Sequence, residues 1–466
     1  MPLKKWAKRF GSAVLMLALA VAGLWTVSRL MGPTDAQEAA LARMRDIPPL
    51  NGRNAFPALW LVAYDMPEAE HDDWLAEDLR RHAAGQPPGG AYDAAEKAHA
   101  SAAERRYADR MPSPDEFDLF CGSAPGCLDR VGADRGRYAD LLRRHAALLD
   151  RVEALSAYAG IRHAGGENIL GTLIPPYQAA KLPATRHALD FVEGRRDRAF
   201  DGTCRAIATW RRLGADSDSL ISRIIGVAYA ADLYGGLFVD MLARTPRDVA
   251  LPASCAQAFS APADGELSLC MAMQGELKFM QSAVRMADAN VSTSERLTML
   301  FGLSADMTEA ERAEQLAFHC SAEAQRAIAA DTRIERNVPE PGFLRFECVG
   351  NPVGCMLANI AHGSLDGYGD RIQDGNAKLR LIAELLRMRA DGTPPEQVAV
   401  RLRTVQDRVG SRLRALSLGE DGRTLRMRNY ETSRGEFTEI PLPPYLQSAS
   451  SGSVPSKAAA SKPVSP

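Results

Sequence analysis

The sequence lacks the short motifs by which the commonest catalytic and nucleotide-binding sites are recognised. It contains no P-loop, no HExxH zinc-protease motif, no GxGxxG dinucleotide fingerprint and no protein-kinase motif set. It also lacks the GxSxG elbow that exposes the serine of an α/β-hydrolase. These absences lower the expectation of an enzyme without excluding one. We predict no cofactor and no resident metal.

The sequence also has no strong net charge. It carries 56 Lys and Arg residues against 58 Asp and Glu, a formal net charge of −2. Residues 1–36 hold five basic residues and one acidic residue, whereas residues 37–466 hold 51 and 57. The larger part of the chain therefore lacks the concentrated basic surface that nucleic-acid binding requires. We predict no nucleic-acid partner.

One long apolar run lies near the N-terminus. Residues 10–27 are eighteen mainly apolar residues, and they follow Lys4, Lys5, Lys8 and Arg9. A run of this length is about enough to cross a bilayer as a helix. The basic cluster predicts a cytoplasmic N-terminus and a periplasmic body. A cleaved signal peptide is the alternative, but the Ala-Val-Ala site at 20–22 lies inside the run. We predict an uncleaved inner-membrane anchor over residues 1–31.

Eight cysteines follow the apolar run, which is typical of disulfides in an exported protein. Metal binding is the alternative, but there is no CxxC and no His at zinc-finger spacing. Two pairs are separated by short Gly- and Pro-containing loops, and the other two would join neighbouring helices. The predicted pairs are Cys121 with Cys127, Cys348 with Cys355, Cys204 with Cys255, and Cys270 with Cys320.

The rest of the chain divides by composition into a stalk, a body and a tail. Residues 32–50 are polar or small and predict a stalk, and residues 51–446 predict a periplasmic helical domain. A Pro- and Ala-rich stretch near 245–264 is the best boundary if the domain has two lobes. Residues 447–466 are rich in Ser, Ala, Pro and Lys, which predicts disorder.

The periodicity of the body predicts a mainly α fold of packed helical hairpins in an irregular bundle. Residues 186–213 read as one helix and residues 217–244 as a second, joined by a short loop. Gly226, Gly235 and Gly236 fall inside the second helix, where close packing would require them. Apolar and polar residues alternate near the C-terminus, so residues 424–442 predict a small β-hairpin.

One polar cluster is a candidate for catalysis. His362, Ser364, Asp366 and Asp370 occur together around a glycine-rich turn. A hydrolytic site needs such groups to converge in space, which neighbours in one loop rarely achieve. The alternative is a capping turn before the helix that contains Leu379. We keep His362, Asp366 and Asp370 as catalytic candidates.

Three stretches resemble a family of uncharacterised bacterial membrane-anchored, exported helical proteins. They are residues 204–213 with 218–222, residues 351–354, and residues 377–387 with 392–394. The resemblance implies an anchored exported helical protein and carries over no catalytic residue. The C-terminal region also resembles the globular part of secretion-system pseudopilins, but it lacks their aromatic-rich, Asp- and Gly-rich ending.

These features together predict a single-pass membrane protein that acts by interaction. The leading hypothesis is a non-enzymatic scaffold whose helical domain binds another envelope or secretion-system protein. The alternative is a periplasmic hydrolase acting on cell-wall material or peptides. A third hypothesis is a sensor that binds a small ligand between helical pairs.

Overall fold

The computed structural model describes residues 2–84, 101–163, 173–263, 265–289, 301–334, 345–361, 365, 367–409 and 414–447. These residues are mainly helical, with a small sheet near the C-terminus, so the predicted fold class is confirmed. The helices before residue 250 are α1 (Pro2–Met31), α2 (Asp35–Arg45), α3 (Phe56–Trp60), α4 (His71–Ala84), α5 (Pro114–Phe117), α6 (Cys127–Ala133), α7 (Arg135–Arg144), α8 (Ala146–Ala154), α9 (Pro183–Val192), α10 (Arg196–Ala215), α11 (Leu220–Val227) and α12 (Gly235–Ala243).

The second half continues the helical bundle and ends in the sheet. Its helices are α13 (Ala253–Ala258), α14 (Cys270–Ala289), α15 (Ala305–Ala317), α16 (Ala322–Ala329), α17 (Glu347–Gly350), α18 (Pro352–Ala361), α19 (Gly367–Ala390) and α20 (Val398–Val409). The strands are β1 (Leu416–Leu418), β2 (Thr424–Arg428) and β3 (Phe437–Pro441), all antiparallel in that order.

Two clusters of buried apolar side chains hold the body together. The larger cluster joins α3, α6 to α10, α12, α19, α20 and the sheet, and it includes Phe56, Phe238 and Leu381. The smaller cluster joins α2, α14 and α15 with Leu220 and Ile372. The two clusters meet along α11 and α19, because both helices contribute to each side of the boundary.

The four disulfides have the pairing predicted from the sequence. The bond from Cys121 to Cys127 closes the loop before α6, and the bond from Cys348 to Cys355 joins α17 to α18. The other two join α10 to α13 and α14 to the turn after α15. Their Cα atoms are 4.5–5.7 Å apart, which is the spacing of a bonded pair.

The expected stalk, residues 32–50, contains helix α2, which packs against the body. Thr34 caps α2, because its hydroxyl accepts from the Gln37 N–H while the Gln37 side chain accepts from the Thr34 N–H. Leu41 and Met44 are buried in the smaller core, where α2 packs against α15. This short apolar face is obscured in the sequence by its alanines and polar neighbours, and tertiary packing stabilises it.

The predicted helical hairpin is present, but each of its helices differs from the prediction. The first is divided into α9 and α10, because Gly194 adopts a left-handed φ of +84° between them. The second contains a π-helical segment, Ala228–Tyr234, between α11 and α12. A Cβ on Gly226 would lie 2.6 Å from the Gly214 Cα, so close packing does require glycine there. Gly236 faces open space, and packing does not explain it.

Part of the proposed boundary at 245–264 packs into the larger core, through Cys255, Ala258 and Phe259. Helix α13 is tied to α10 by the disulfide of Cys255, and the Phe259 ring lies 4.6 Å from the Phe238 ring. Buried residues before and after this stretch share one cluster. Composition suggested a linker, but its apolar residues pack inward and the disulfide fixes them.

The C-terminal hairpin has a third strand. Leu425 on β2 lies opposite Ile440 on β3, and β1 pairs with the other edge of β2. The prediction missed β1 because three residues are too few for alternation to be visible. Residues 448–466 of the expected disordered tail lie outside the described residues.

A second helical stretch has the length and composition to cross a membrane. It is Leu220–Ala243, and just over half of its most apolar 18-residue stretch is buried inside the protein. Its buried side chains belong to the core, which accounts for their apolar character. The N-terminal stretch Arg9–Met31 differs, since none of its most apolar 18 residues is buried.

Candidate functional site

Of the three catalytic candidates from the sequence, only Asp370 lies in the described part of the chain. Asp370 is in the first turn of α19 and accepts hydrogen bonds from Arg333 at 2.8 and 3.1 Å. Burial raises the pKa of the Asp370 carboxyl, and the guanidinium opposes that shift. This ion pair gives Asp370 a structural role. His362 and Asp366 lie outside the described residues, so the catalytic hypothesis stays a prediction.

A different site lies between α11, α14 and the start of α19. A groove of about 690 Å³ opens there, a volume in the range of ligand-binding clefts. Ile221, Ile224 and Ile225 line one side, and Ile174 and Phe279 line the rest of its apolar wall. We call this site the isoleucine groove.

The walls of the isoleucine groove carry large apolar side chains that the chain itself leaves uncovered. Ile174, Ile221 and Phe279 are 42%, 50% and 40% exposed. Single exposed apolar residues are ordinary, but three that converge on one groove are typical of an interaction site.

Close backbone packing shapes the base of the groove. A Cβ on Gly275 would overlap the carbonyl oxygen of Asp218, so only glycine lets α14 approach the segment before α11. The Leu220 N–H, in the first turn of α11, donates to Glu276 at 3.2 Å. This bond satisfies one of the unpaired N–H groups of a helix start. Together the two contacts hold α14 across the start of α11.

Polar groups lie together at the end of the groove where α14 crosses the start of α11. The backbone N–H of His163 donates to the Asp218 carboxylate at 2.8 Å, and the imidazole Nδ1 lies 3.5 Å from the same oxygen. Glu276 lines the groove beside them. Burial raises the pKa of the Glu276 carboxyl, and the Leu220 N–H and His163 partly oppose that shift. His163, Asp218 and Glu276 therefore form an acid–base cluster beside an apolar wall.

Two cations border the same groove. Lys278 is on α14, immediately before Phe279. Arg371 is on α19, and its guanidinium lies 5.1 Å from the Tyr368 ring. An acidic or anionic group on a bound molecule would meet these charges first.

The cluster lacks one part of a hydrolytic triad, as far as the described residues extend. Among them, no hydrogen bond joins the His163 imidazole to a serine hydroxyl. Ser222 instead bonds to the hydroxyl of Tyr177, and both groups are buried. Over the same residues, no group of three or more His, Cys, Asp and Glu side chains could hold a metal ion. The geometry favours binding of an apolar molecule with a polar or charged end.

Sequence reasoning missed this groove because its polar residues are far apart in the chain. His163, Asp218 and Glu276 are each separated by more than fifty residues, and none lies in a recognised motif. The only local signal is the isoleucine spacing on α11, which equally fits a core helix.

Comparisons of the chain with protein-family models, with curated proteins and with solved structures found no match. The family resemblance therefore stays a prediction, and the geometry of the isoleucine groove is the basis on which function is inferred.

Proposed function

We propose that the protein is a membrane-anchored binding module that receives an amphipathic segment of another envelope protein in the isoleucine groove. The observation that carries this proposal is the convergence of Ile174, Ile221 and Phe279, all exposed, on one open groove. Ile221 and Ile225 are four residues apart on α11 and offer one continuous aliphatic strip. Such a strip suits the apolar face of a docked helix.

The charges at the groove support a particular kind of segment. Lys278 and Arg371 favour acidic residues beside the apolar face of the partner, and the Asp218 and Glu276 end favours a hydrogen-bond donor. The partner's segment is thus an amphipathic helix with an acidic flank.

Several features support placement on the outer side of a bacterial inner membrane. Arg9–Met31 has 23 residues, which at about 1.5 Å per residue extend ~35 Å and exceed a ~30 Å hydrocarbon core. The basic residues before it favour a cytoplasmic N-terminus, and the disulfides favour an oxidising periplasm. Ser28 and Arg29 bond to the body, which favours an anchor that is retained.

Site-specific photo-cross-linking of the full-length chain in its native host tests the proposal. A benzophenone amino acid at Ile221 should give a specific protein adduct, and the same probe at Val400, which is 52% exposed on α20, should not. Phe279→Asp should remove the Ile221 adduct without releasing free thiols. Adducts that are equal at Ile221 and Val400, or that survive Phe279→Asp, would refute the proposal.

The acid–base cluster favours a second candidate, a hydrolase acting on peptides or cell-wall material. Asp218 is placed to orient His163 as a general base, and the raised pKa of Glu276 suits an acid. Turnover by the purified chain that His163→Gln abolishes, while the disulfides and the melting temperature are kept, would favour this candidate over binding. Unchanged turnover in His163→Gln would eliminate it.

A further inference from the structure

Five large exposed apolar side chains lie on segments that contact the outer end of α1, or that a disulfide joins to such a segment. They are exposed on the segment before α15, on α17 with its flanking residue, and on α18. We call them the apolar collar: Phe301, Phe346, Val349, Met356 and Leu357.

Hydrogen bonds hold the collar against α1. The indole N–H of Trp25 donates to the Phe301 carbonyl at 2.8 Å, and the two rings are 5.4 Å apart. The Ser28 hydroxyl donates to the Phe346 carbonyl at 2.8 Å and accepts from the Gly350 N–H at 2.9 Å. The polar groups of Trp25 and Ser28 thus hold the collar segments against α1.

The collar is also braced internally. The disulfide between Cys348 and Cys355 ties α17 to α18. Gly302 packs against α18, because a Cβ there would lie 2.9 Å from the Val353 side chain. The segments that carry the collar are therefore fixed to one another, and the segments of Phe301 and α17 are fixed to α1.

The length of the apolar run sets the depth of the collar. Residues 10–27 extend ~27 Å as a helix, nearly the ~30 Å thickness of the hydrocarbon core. Trp25 and Ser28 consequently lie at the outer boundary of the bilayer, where tryptophan is enriched. The residues bonded to them lie at the same level.

We propose that the apolar collar inserts into the outer interface of the bilayer that α1 spans. This inference rests on the proposed membrane anchoring. The occupant is lipid because Phe301 and Phe346 are bonded to α1 at Trp25 and Ser28. The neighbouring apolar residues of α1, Leu24, Val27 and Leu30, are themselves exposed. Burial of an apolar surface at the acyl boundary is the ordinary means by which such surfaces bind membranes. The protein thus combines a transmembrane helix with a monotopic membrane contact. The collar fixes the orientation of the body relative to the membrane.

Fluorescence quenching in vesicles tests the collar. The full-length chain is reconstituted into phosphatidylcholine–phosphatidylglycerol vesicles, with a dansyl amino acid at one position. The positions are Met356 in the collar, Val400 as a control of equal exposure (50% against 52%), and Leu17 within α1. Vesicles with and without acyl-brominated lipid are compared, and a probe at Val349 repeats the test at a second collar site.

We expect brominated lipid to quench the probes at Met356, Val349 and Leu17 and to leave the probe at Val400 unchanged. Quenching at Leu17 alone would overturn the collar while leaving the anchor intact. Another contrary result is a collar probe that stays unquenched while its emission shifts to shorter wavelength as more protein is reconstituted per vesicle. That result would show that a second protein covers the collar, and it also overturns the proposal. Loss of quenching at Leu17 would show instead that the anchoring proposal itself is wrong.

Discussion

Acidification should unfold this protein partly through one histidine. His187 on α9 is buried, and a Cβ on Gly202 would lie 2.5 Å from its ring. Burial, together with the positive charges of Arg186, Arg205 and Arg198, lowers the pKa of the imidazole from 6.5 to about 3. His187 is therefore mainly neutral in the native state at pH values well above this pKa.

The sign and size of the effect follow from linkage. Between pH 6.5 and pH 3 the unfolded chain binds a proton at His187 and the native state does not, so stability is lost as pH falls. Each unit of pKa difference corresponds to ~1.36 kcal/mol. The free energy of unfolding should fall by about 2 kcal/mol at pH 5 and by about 4 kcal/mol at pH 3 from this group alone.

Urea unfolding of the full-length chain at pH 7 and pH 5 measures this loss. His187→Leu should reduce the difference between the two pH values by about 2 kcal/mol. Tyr234→Phe is the matched control. It removes a buried hydroxyl that donates to the Ala180 carbonyl at 2.6 Å, so it should destabilise equally at both pH values. If the stability of His187→Leu depended on pH as strongly as that of the unsubstituted protein, the assignment of this pH effect to His187 would be refuted.

Three further outcomes are expected. Gly202→Ala should lower the free energy of unfolding by about 1–3 kcal/mol, because its Cβ would clash with His187. Adding His187→Ala should restore most of the lost stability. A double-mutant cycle of urea midpoints measures this rescue. Glu276→Gln should raise the melting temperature at pH 7 and flatten its fall above pH 4.5, since the raised pKa of Glu276 makes deprotonation destabilising; an unchanged thermal pH profile would contradict this. Replacing Cys204 and Cys255 by Ala should cost about 4 kcal/mol for a separation of 51 residues, measured by denaturant titration, and full retained stability would argue against that estimate.

The features that the sequence predicts well are those determined by local chemistry. The apolar run of α1 needs no partner to be identified, because its length and composition define it. The short loop from Cys121 to Cys127 brings its ends together whatever surrounds it, so this disulfide could be predicted from the sequence. Helical periodicity likewise predicted the fold class, since amphipathic faces recur along the body.

The features that were missed depend on contacts between distant segments. Helix α2 is stable only because Leu41 and Met44 pack against α15, more than 260 residues later. The polar end of the isoleucine groove exists only because Gly275 admits the backbone of Asp218. Neither contact has a sequence pattern that distinguishes it from ordinary helix or loop composition.

The placement of α15 links the isoleucine groove to α1. This helix packs against α2, which follows α1, and also against α14, which forms one wall of the groove, and α18, which carries part of the apolar collar. The disulfide from Cys270 to Cys320 fastens α14 to the turn after α15. Under the proposed membrane anchoring, a partner bound in the groove contacts a body that is braced against α1, and the groove keeps one orientation relative to the membrane. A tether on a flexible stalk would let the groove sample all orientations, whereas this arrangement favours a partner that is itself held in or near the same bilayer.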